Sequence, residues 1–205
     1  MALNRLKGHL PFDPMNSIAD LTWVKIVGVG DSGVGKTCLV KRFCEEKFTA
    51  KFHPTVGIDY GFKIHVIGDV DVRVHFWDMA GKYEYYDVRN ELYSQTQAVM
   101  LVYDVTNRAS FQSLEAWNRE CVRCASSFPL ATVVVANKVD QDVERAVSRE
   151  EGEKWAKAHK LTYWETSAAT GVGVFSMFHS LLQDVVEKMR APQVDLFNSD
   201  GEMEK

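Results

Sequence analysis

Apolar, β-branched stretches alternate with amphipathic ones from residue 21 onward, and this alternation predicts an α/β fold. The runs at 98–104 and 131–137 are almost entirely apolar, which is typical of strands buried on both faces. Gly68-Asp69 separates two further strand candidates and is a hairpin-turn signal. The predicted strands are 23–30, 58–67, 70–78, 98–104, 131–137 and 161–165, and the predicted helices are 37–47, 110–126, 148–159 and 174–186.

This order of elements predicts a mostly parallel six-stranded sheet with helices on both faces. Ligands of such sheets bind beyond the carboxyl ends of the strands. The pattern occupies residues 21–190 of 205, so we expect one domain. Residues 1–20 mix proline, asparagine and charge without a period and are predicted to be a flexible leader, and the polar, acidic residues 191–205 are predicted to be a flexible tail.

Charge and cysteine content narrow the class of protein. The 24 Lys and Arg against 28 Asp and Glu give a net charge of −4, which offers no electrostatic case for nucleic acid as a partner. Four cysteines are too few for a disulfide framework and indicate a reducing compartment. No apolar run is long enough to span a bilayer, so we expect a cytoplasmic protein.

A phosphate-binding motif follows the first predicted strand. Gly30-Asp31-Ser32-Gly33-Val34-Gly35-Lys36-Thr37 fits G-x-x-x-x-G-K-[ST] between a strand and a helix, which is the context that this motif requires. The glycines allow a tight turn whose backbone N–H groups meet phosphate oxygens. Lys36 supplies a cation for the β- and γ-phosphates, and the Thr37 hydroxyl can coordinate Mg²⁺. A glycine-rich turn followed by a chance Lys-Thr is the alternative.

A second motif, Asp78-Met79-Ala80-Gly81, ends the third predicted strand. Asp78 is the expected carboxylate on the metal side of a phosphate site and is predicted to hold Mg²⁺ through water, and the backbone N–H of Gly81 is predicted near the γ-phosphate. An isolated Asp at the end of a strand would more often form an ordinary turn. The preceding phosphate motif favours the functional interpretation.

The third motif, Asn137-Lys138-Val139-Asp140, follows the buried run at 131–137 and points to guanine. The Asp140 carboxylate can accept hydrogen bonds from N1–H and the 2-amino group of guanine, whereas adenine would leave that carboxylate unpaired. Such a site can reject the wrong base by roughly four orders of magnitude. Lys138 is predicted to pack its aliphatic stem along the base. Alone, the tetrapeptide is a weak match and could be a surface turn.

With Glu165-Thr166-Ser167-Ala168 after the last strand, the chain resembles the Ras-superfamily small GTPases, and among them the Rab-like members, over residues 21–190. The resemblance implies a P-loop NTPase G domain that binds GTP or GDP with Mg²⁺. It also implies that Phe48 lies near the guanine, that Thr55 binds Mg²⁺ and senses the γ-phosphate, and that the Ala168 N–H contacts the guanine oxygen.

The predicted site residues fall into three groups. The nucleotide-binding candidates are Asp31, Ser32, Gly33, Val34, Gly35, Lys36, Thr37, Cys38, Phe48, Thr55, Gly81, Asn137, Lys138, Asp140, Ser167, Ala168 and Ala169. The metal-ligand candidates are Thr37, Thr55 and Asp78, and the catalytic candidates are Lys36, Thr55, Gly81 and Lys82.

The resemblance further implies partner proteins. Effectors would bind through segments 47–60 and 77–93, and an exchange factor and a GTPase-activating protein are expected for a monomeric switch. Residues 58–60 with Trp77 and Tyr93 match positions where Rabs display an aromatic effector surface, although ordinary sheet packing explains these aromatic side chains equally well.

One departure from the family concerns hydrolysis. Where Ras and Rab proteins carry a glutamine that orients the attacking water, this chain has Lys82. A glutamine can donate and accept, but an ammonium has three donors and no acceptor. We therefore expect slow GTP hydrolysis, and a permanently GTP-bound scaffold is the alternative function. An ATP-using kinase or ATPase is the rival enzyme class, against which the guanine motif argues.

A second departure concerns the lipid anchor. Rabs end in prenylated cysteines, but no Cys follows Cys124, and Ala2 does not fit a myristoylation signal. We expect no direct lipid anchor and membrane association only through partners. The stretch 88–93 and Asp78-Met79-Ala80-Gly81 resemble the unprenylated, J-domain-associated group called RJL. The sequence contains no J domain and does not decide whether the protein lacks one or the chain is a piece.

Two other patterns carry no predicted chemistry. Cys121 and Cys124 match C-x-x-C, but they lie inside a predicted helix without further ligands and are interpreted as ordinary helix residues. The six histidines are scattered, and His65 and His75 are interpreted as surface residues of strands.

Overall fold

The computed structural model describes residues 22–51, 53–81, 83–124 and 131–190, and these form the predicted α/β fold. The six strands are β1 (Thr22–Val29), β2 (Ile58–Ile67), β3 (Val70–Met79), β4 (Ala98–Asp104), β5 (Ala131–Asn137) and β6 (Thr162–Thr166). The helices are α1 (Lys36–Glu45), α2 (Tyr86–Leu92), α3 (Arg108–Gln112), α4 (Leu114–Cys124), α5 (Arg149–Ala158) and α6 (Val174–Arg190), with short 3₁₀ turns at Tyr83–Tyr85 and Asp142–Glu144.

The strands form one sheet in the order β2-β3-β1-β4-β5-β6. Only the β2–β3 hairpin is antiparallel, and the β1–β3, β1–β4, β4–β5 and β5–β6 pairs are parallel. The mostly parallel six-stranded sheet is therefore confirmed. Because the parallel strands share a direction, the chain leaves β1, β3, β4, β5 and β6 at the same edge, and the predicted motifs follow four of these strand ends.

Two buried clusters hold the layers together. On one face, α1 and α6 pack over the sheet through residues such as Phe43, Phe76 and Phe178. On the other face, α4 and α5 pack through residues such as Trp117 and Ala156. The run AVMLVYD of β4 is buried at every position, as expected for a central strand that is covered on both sides.

Several helices differ in number or in position from the predicted ones. The helix predicted at 110–126 is two helices, α3 and α4, and α3 begins with the Asn107 side chain accepting from two backbone N–H groups. The capping box predicted at Ser148 and Glu151 is present at the start of α5. Helix α2 was not predicted, because its seven residues carry no apolar stripe of helical period.

The interpretation of His65 as a surface residue is wrong. Its side chain is 8% exposed, stacks edge-on against Phe43 and pairs with His179 of α6, Nε2 to Nδ1, over 3.0 Å. Strand β2 has an inverted pattern, in which Phe62 and Ile64 face outward while His65 faces α6. His75 is half-buried and stacks on Trp23 with ring centroids 4.5 Å apart.

Candidate nucleotide site

The phosphate motif forms the turn between β1 and α1. Its three glycines, Gly30, Gly33 and Gly35, have positive φ angles of 137°, 85° and 99°. A side chain at Gly30 would collide with the carbonyl oxygen of Val102, and one at Gly35 would collide with the amide of Asn137. Glycine is therefore required at both positions by backbone conformation and by close approach.

Lys36 is the first residue of α1 and its ammonium curls back over the motif. Nζ donates to the carbonyl oxygens of Gly30 at 2.7 Å and of Asp31 at 3.0 Å. The side chain is 6% exposed, and burial lowers the pKa of its ammonium to about 8. This geometry holds a cation inside the ring of backbone groups where an anionic phosphate would be neutralised.

Three oxygen-bearing side chains from separate elements meet beside Lys36. The Thr37 hydroxyl donates to Asp78 Oδ2, and the Thr55 hydroxyl lies 3.2 Å from that of Thr37 and 3.5 Å from Asp78 Oδ2. Burial raises the pKa of the Asp78 carboxyl, although the nearby Lys36 opposes this shift. The second carboxylate oxygen, Oδ1, is buried with no hydrogen-bond partner. Hydroxyl and carboxylate oxygens are the ligands that Mg²⁺ prefers, so the donor set and the unpaired oxygen fit that ion.

Asn137 joins the third motif to the phosphate turn. Its side chain is buried, and Nδ2 donates to the Val34 carbonyl oxygen at 2.8 Å. Oδ1 accepts from the Ala168 N–H at 3.2 Å and from the Thr166 hydroxyl at 3.3 Å. One amide thus ties together the turn after β1 and the loops after β5 and β6.

Asp140 is exposed and its carboxylate is oriented from beneath. The fully buried Ser167 donates its hydroxyl to Asp140 Oδ1 at 2.5 Å, and Ser167 Oγ itself accepts from the Thr170 N–H at 3.0 Å. Lys138 pairs with Asp104 through Nζ and Oδ2 at 2.5 Å, which holds its stem along the wall of the site. Asp140 therefore keeps its other oxygen available to a ligand.

These elements enclose one cavity of about 680 Å³, a volume in the range of small-molecule sites. The predicted residues that line it are Ser32, Gly33, Gly35, Lys36, Thr37, Cys38, Phe48, Thr55, Gly81, Asn137, Lys138, Asp140, Ala168 and Ala169. The residues that extend the wall beyond the predicted set are Lys41, Glu45, Lys47, Thr49, Ala50, Lys51, His53 and Gln141. The phosphate and base motifs thus face the same space.

Four predicted site residues do not line the cavity but lie beneath its wall and make hydrogen bonds there. The Asp31 carboxylate accepts from the Trp117 indole at 2.8 Å, and Val34 is buried with its carbonyl oxygen on Asn137. Ser167 lies under Asp140, and Asp78 lies under Thr37.

Sequence reasoning missed the arginine that holds the base loop. From α1, Arg42 donates through Nε to the Ala168 carbonyl oxygen at 2.8 Å and through Nη2 to that of Ala169 at 2.7 Å. Nη1 donates to the carbonyl oxygen of Glu46 at the end of the same helix, also at 2.8 Å. No local pattern signals such a contact, because the acceptors are backbone groups 126 and 127 residues away.

The segment after Asp78 lies against the phosphate turn. A side chain at Gly81 would fall 2.6 Å from the Gly30 carbonyl oxygen and would also strike the backbone of Asp31 and Ser32. Only a glycine permits this approach. The predicted catalytic residue Lys82 lies outside the described residues.

The aromatic surface is placed only in part as predicted. Tyr60 is 51% exposed and meets Trp77 edge-on with ring centroids 5.8 Å apart. Tyr93 is buried at 1% exposure and donates its hydroxyl to Glu120 at 2.8 Å. The prediction that Tyr93 belongs to an exposed surface is wrong, because α4 covers it.

Comparison with known proteins agrees with this geometry. The Ras family model matches residues 25–187. The chain is 41% identical over 169 residues to DnaJ homolog subfamily C member 27 of Homo sapiens and 40% identical over 168 residues to that of Danio rerio, in each case over 80% of this chain and 62% of the relative. The chain is also 39% identical over 171 residues to DnaJ homolog subfamily C member 27-B of Xenopus laevis, again over 80% of this chain and 62% of the relative.

The chain thus spans about three fifths of the length of the curated relatives it matches. Their name agrees with the J-domain-associated group that the sequence resembles. Among the helices that the structure describes, none is both long and apolar enough to cross a membrane. The matched residues span the phosphate turn, the Asp78 segment, the guanine motif and the loop after β6, so the chain belongs to the Ras family of small GTPases.

Proposed function

We propose that this protein is a guanine-nucleotide-dependent molecular switch that binds GTP and GDP with Mg²⁺ and hydrolyses GTP slowly. The bond from Asn137 to the Val34 carbonyl carries the proposal, since it fixes the phosphate turn and the base loop around one cavity. In this arrangement the phosphates lie over Gly33–Thr37 and the base lies between Phe48 and Lys138. Family membership supports the same activity.

Selection of guanine is assigned to Asp140. Its carboxylate accepts from N1–H and the 2-amino group of guanine, while Ser167, bonded to Oδ1, keeps the carboxylate in that orientation. Adenine offers neither donor and would leave a charged oxygen without a partner. The Ala168 N–H, which donates to Asn137 Oδ1 here, would contact the guanine oxygen, while Arg42 holds the carbonyl oxygen of the same residue.

Thr37, Thr55 and Asp78 are the residues that would hold Mg²⁺. When bound, the ion would offset charge on the β- and γ-phosphates. Lys36 contacts the same phosphates from the other side, in exchange for the Gly30 and Asp31 carbonyl oxygens that it contacts here. Thr55 connects the metal ligands to residues 53–57, so the presence of a terminal phosphate can order that segment.

Slow hydrolysis is proposed from Lys82. A protonated lysine cannot accept a hydrogen bond from the attacking water, so it cannot orient that water as glutamine does. Intrinsic rates in this class are already about 10⁻⁴ s⁻¹. A GTPase-activating protein that acts through glutamine would accelerate this chain poorly.

Segments 47–60 and 77–93 are the proposed effector surface, with an exchange factor and an activating protein as further partners. The exposed Tyr60 beside Trp77 supports this location. We propose a cytoplasmic monomer in intracellular trafficking or signalling that reaches membranes through its partners.

A permanently GTP-bound scaffold is the second candidate function. It is supported by Lys82, whose ammonium has no acceptor for a hydrogen bond from the attacking water. The two candidates differ in turnover.

Nucleotide analysis of freshly purified protein tests the proposal. Bound GDP supports a working switch, bound GTP supports the scaffold, and bound adenine nucleotide contradicts both. Single-turnover GTP hydrolysis by the wild type and Lys82→Gln then tests the slow step. Faster hydrolysis by the variant is expected, and equal or faster hydrolysis by the wild type would overturn the assignment to Lys82.

A further inference from the structure

We propose that Arg89, itself held by Glu120, is a positioning residue that keeps the Ala80–Gly81 backbone against the phosphate turn and so sets the preference for GTP over GDP. The inference rests on the proposed guanine-nucleotide site. It adds a role for the buried contact between α2 and α4, which none of the nucleotide motifs includes.

Arg89 is a nearly fully buried guanidinium, with 2% of its side chain exposed. Nε donates to Glu120 Oε1 at 3.0 Å and Nη2 donates to Oε2 at 3.2 Å, which is the paired geometry of a guanidinium on a carboxylate. The Tyr93 hydroxyl also donates to Oε1, at 2.8 Å. Glu120 is thus held by three donors from the α2 region.

The remaining side of the Arg89 guanidinium faces the Asp78 segment. Nη1 donates to the Ala80 carbonyl oxygen at 3.2 Å, and that contact is buried. The next residue, Gly81, lies against the backbone of residues 30–32 so closely that a side chain would not fit. Arg89 therefore holds the peptide unit that borders the phosphate turn.

Helix α4 connects this contact to the phosphate turn itself. Trp117 and Glu120 lie one turn apart on α4, and Arg89 lies over the Trp117 ring at 4.7 Å from its centroid. The Trp117 indole donates to the Asp31 carboxylate at 2.8 Å. One helix face thus holds Asp31 on one side and, through Arg89, Ala80 on the other.

The buried Arg89–Glu120 pair favours the arrangement in which Ala80 and Gly81 lie against the phosphate turn. Moving Ala80 and Gly81 away from the phosphate turn would break the bond from Arg89 to the Ala80 carbonyl in a place where water cannot replace it. A buried donor or acceptor left without a partner destabilises the arrangement in which it occurs. The pair therefore biases the segment toward the position seen here.

That position favours a triphosphate over a diphosphate. Gly81 lines the cavity and lies against residues 30–32 of the phosphate turn, where a terminal phosphate would contact its backbone. A diphosphate lacks that group and gains nothing from the position of Gly81. A clamp that holds Gly81 in place therefore raises the affinity for GTP and leaves the affinity for GDP nearly unchanged.

The test compares the dissociation constants of GDP and of slowly hydrolysed GTPγS, both with Mg²⁺, for the wild type, Arg89→Met, Arg89→Lys and Glu120→Gln. We expect Arg89→Met to raise the dissociation constant of GTPγS at least about fivefold relative to that of GDP, which is the lower end of typical coupling between sites. Arg89→Lys keeps the charge but loses the two-pronged contact, so its ratio should fall between those of the wild type and Arg89→Met.

Arg108→Lys is the matched control. Arg108 makes the same set of contacts, two bonds of 2.9 Å to Glu151 and one of 2.7 Å to the Ala146 carbonyl oxygen, but it is exposed and belongs to neither the cavity nor α2. The GTPγS-to-GDP ratio of this variant should match the wild type. Thermal unfolding of each GDP-bound variant separates lost stability from a changed ratio.

The outcomes separate the two proposals. A wild type that binds neither nucleotide would overturn the proposed function itself. A wild type that binds both, with variants whose ratio stays at the wild-type value or whose affinities for both nucleotides fall equally, would overturn the role of Arg89 and leave the site intact. If Arg89→Met does not fold, Arg89→Lys and Glu120→Gln decide the question in the same way.

Discussion

The side-chain amide of Asn137 donates to the backbone carbonyl of Val34 over 2.8 Å and joins residues 103 positions apart in the chain. The same side chain accepts from the Ala168 N–H. The phosphate turn and the two base loops are therefore mechanically connected, and binding at one part of the cavity depends on the geometry of the others.

Asn137→Ala should destabilise the protein and weaken nucleotide binding together. The substitution leaves the buried Val34 carbonyl and Ala168 N–H without partners, so we expect the free energy of unfolding to fall by about 2 kcal/mol. Urea unfolding and GDP titration measure the two effects. Asn107→Ala is the control: it removes the cap of α3 at a cost of about 1 kcal/mol and should leave the GDP affinity unchanged.

Ser167→Ala should weaken the binding of guanine nucleotides without unfolding the protein. Its hydroxyl orients the Asp140 carboxylate, and hydrogen bonds to charged groups contribute about 1.5–3 kcal/mol, so roughly a tenfold or greater rise in the Kd of GDP is expected. Fluorescence titration with labelled GDP measures it. Ser148→Ala, which removes the hydroxyl that caps α5, should not change that Kd, and an equal effect of the two variants would contradict the role of Ser167.

Asp78→Asn should remove the dependence of nucleotide affinity on Mg²⁺. In the wild type, chelation of the metal should weaken GDP binding strongly, because Mg²⁺ then no longer connects Thr37, Thr55 and Asp78 to the phosphates. In the variant, affinities with and without chelator should nearly coincide. Asp184→Asn, which breaks a partly exposed ion pair with Lys188 on α6, should keep the wild-type difference. A variant that retains the full effect of Mg²⁺ would exclude Asp78 as a metal-side residue.

His65 should make the fold less stable as the pH falls below about 6.5. Burial, with His179 and Lys63 nearby, lowers the pKa of His65 from its usual value of 6.5. The unfolded chain therefore binds more protons than the folded chain between the lowered pKa and that value, and stability rises with pH across this window.

Urea unfolding at about pH 5.5 and about pH 7.5 measures this dependence. His65→Gln should lose less stability on acidification than the wild type, while His53→Gln, at an exposed position, should behave as the wild type does. Equal acid sensitivity of the wild type and His65→Gln would show that another group carries it.

The features that could be predicted from the sequence are those that a short stretch of residues determines by itself. Continuous apolar runs identified the central strands, and the phosphate motif was recognisable because glycine spacing is itself the structural requirement. Arg42 and the Arg89–Glu120 pair left no such signal, since their partners are backbone carbonyls or side chains on distant elements. Tyr93 and His65 were misplaced because alternation along a strand or turn does not reveal which helix covers it.

Guanine selection by Asp140 is tested most directly by competition. Labelled GDP bound to the purified protein with Mg²⁺ is displaced by unlabelled GDP or ADP, and the two inhibition constants are compared. The account predicts that ADP competes roughly four orders of magnitude more weakly than GDP, because adenine leaves the Asp140 carboxylate unpaired. Equal displacement by the two nucleotides would contradict the central claim.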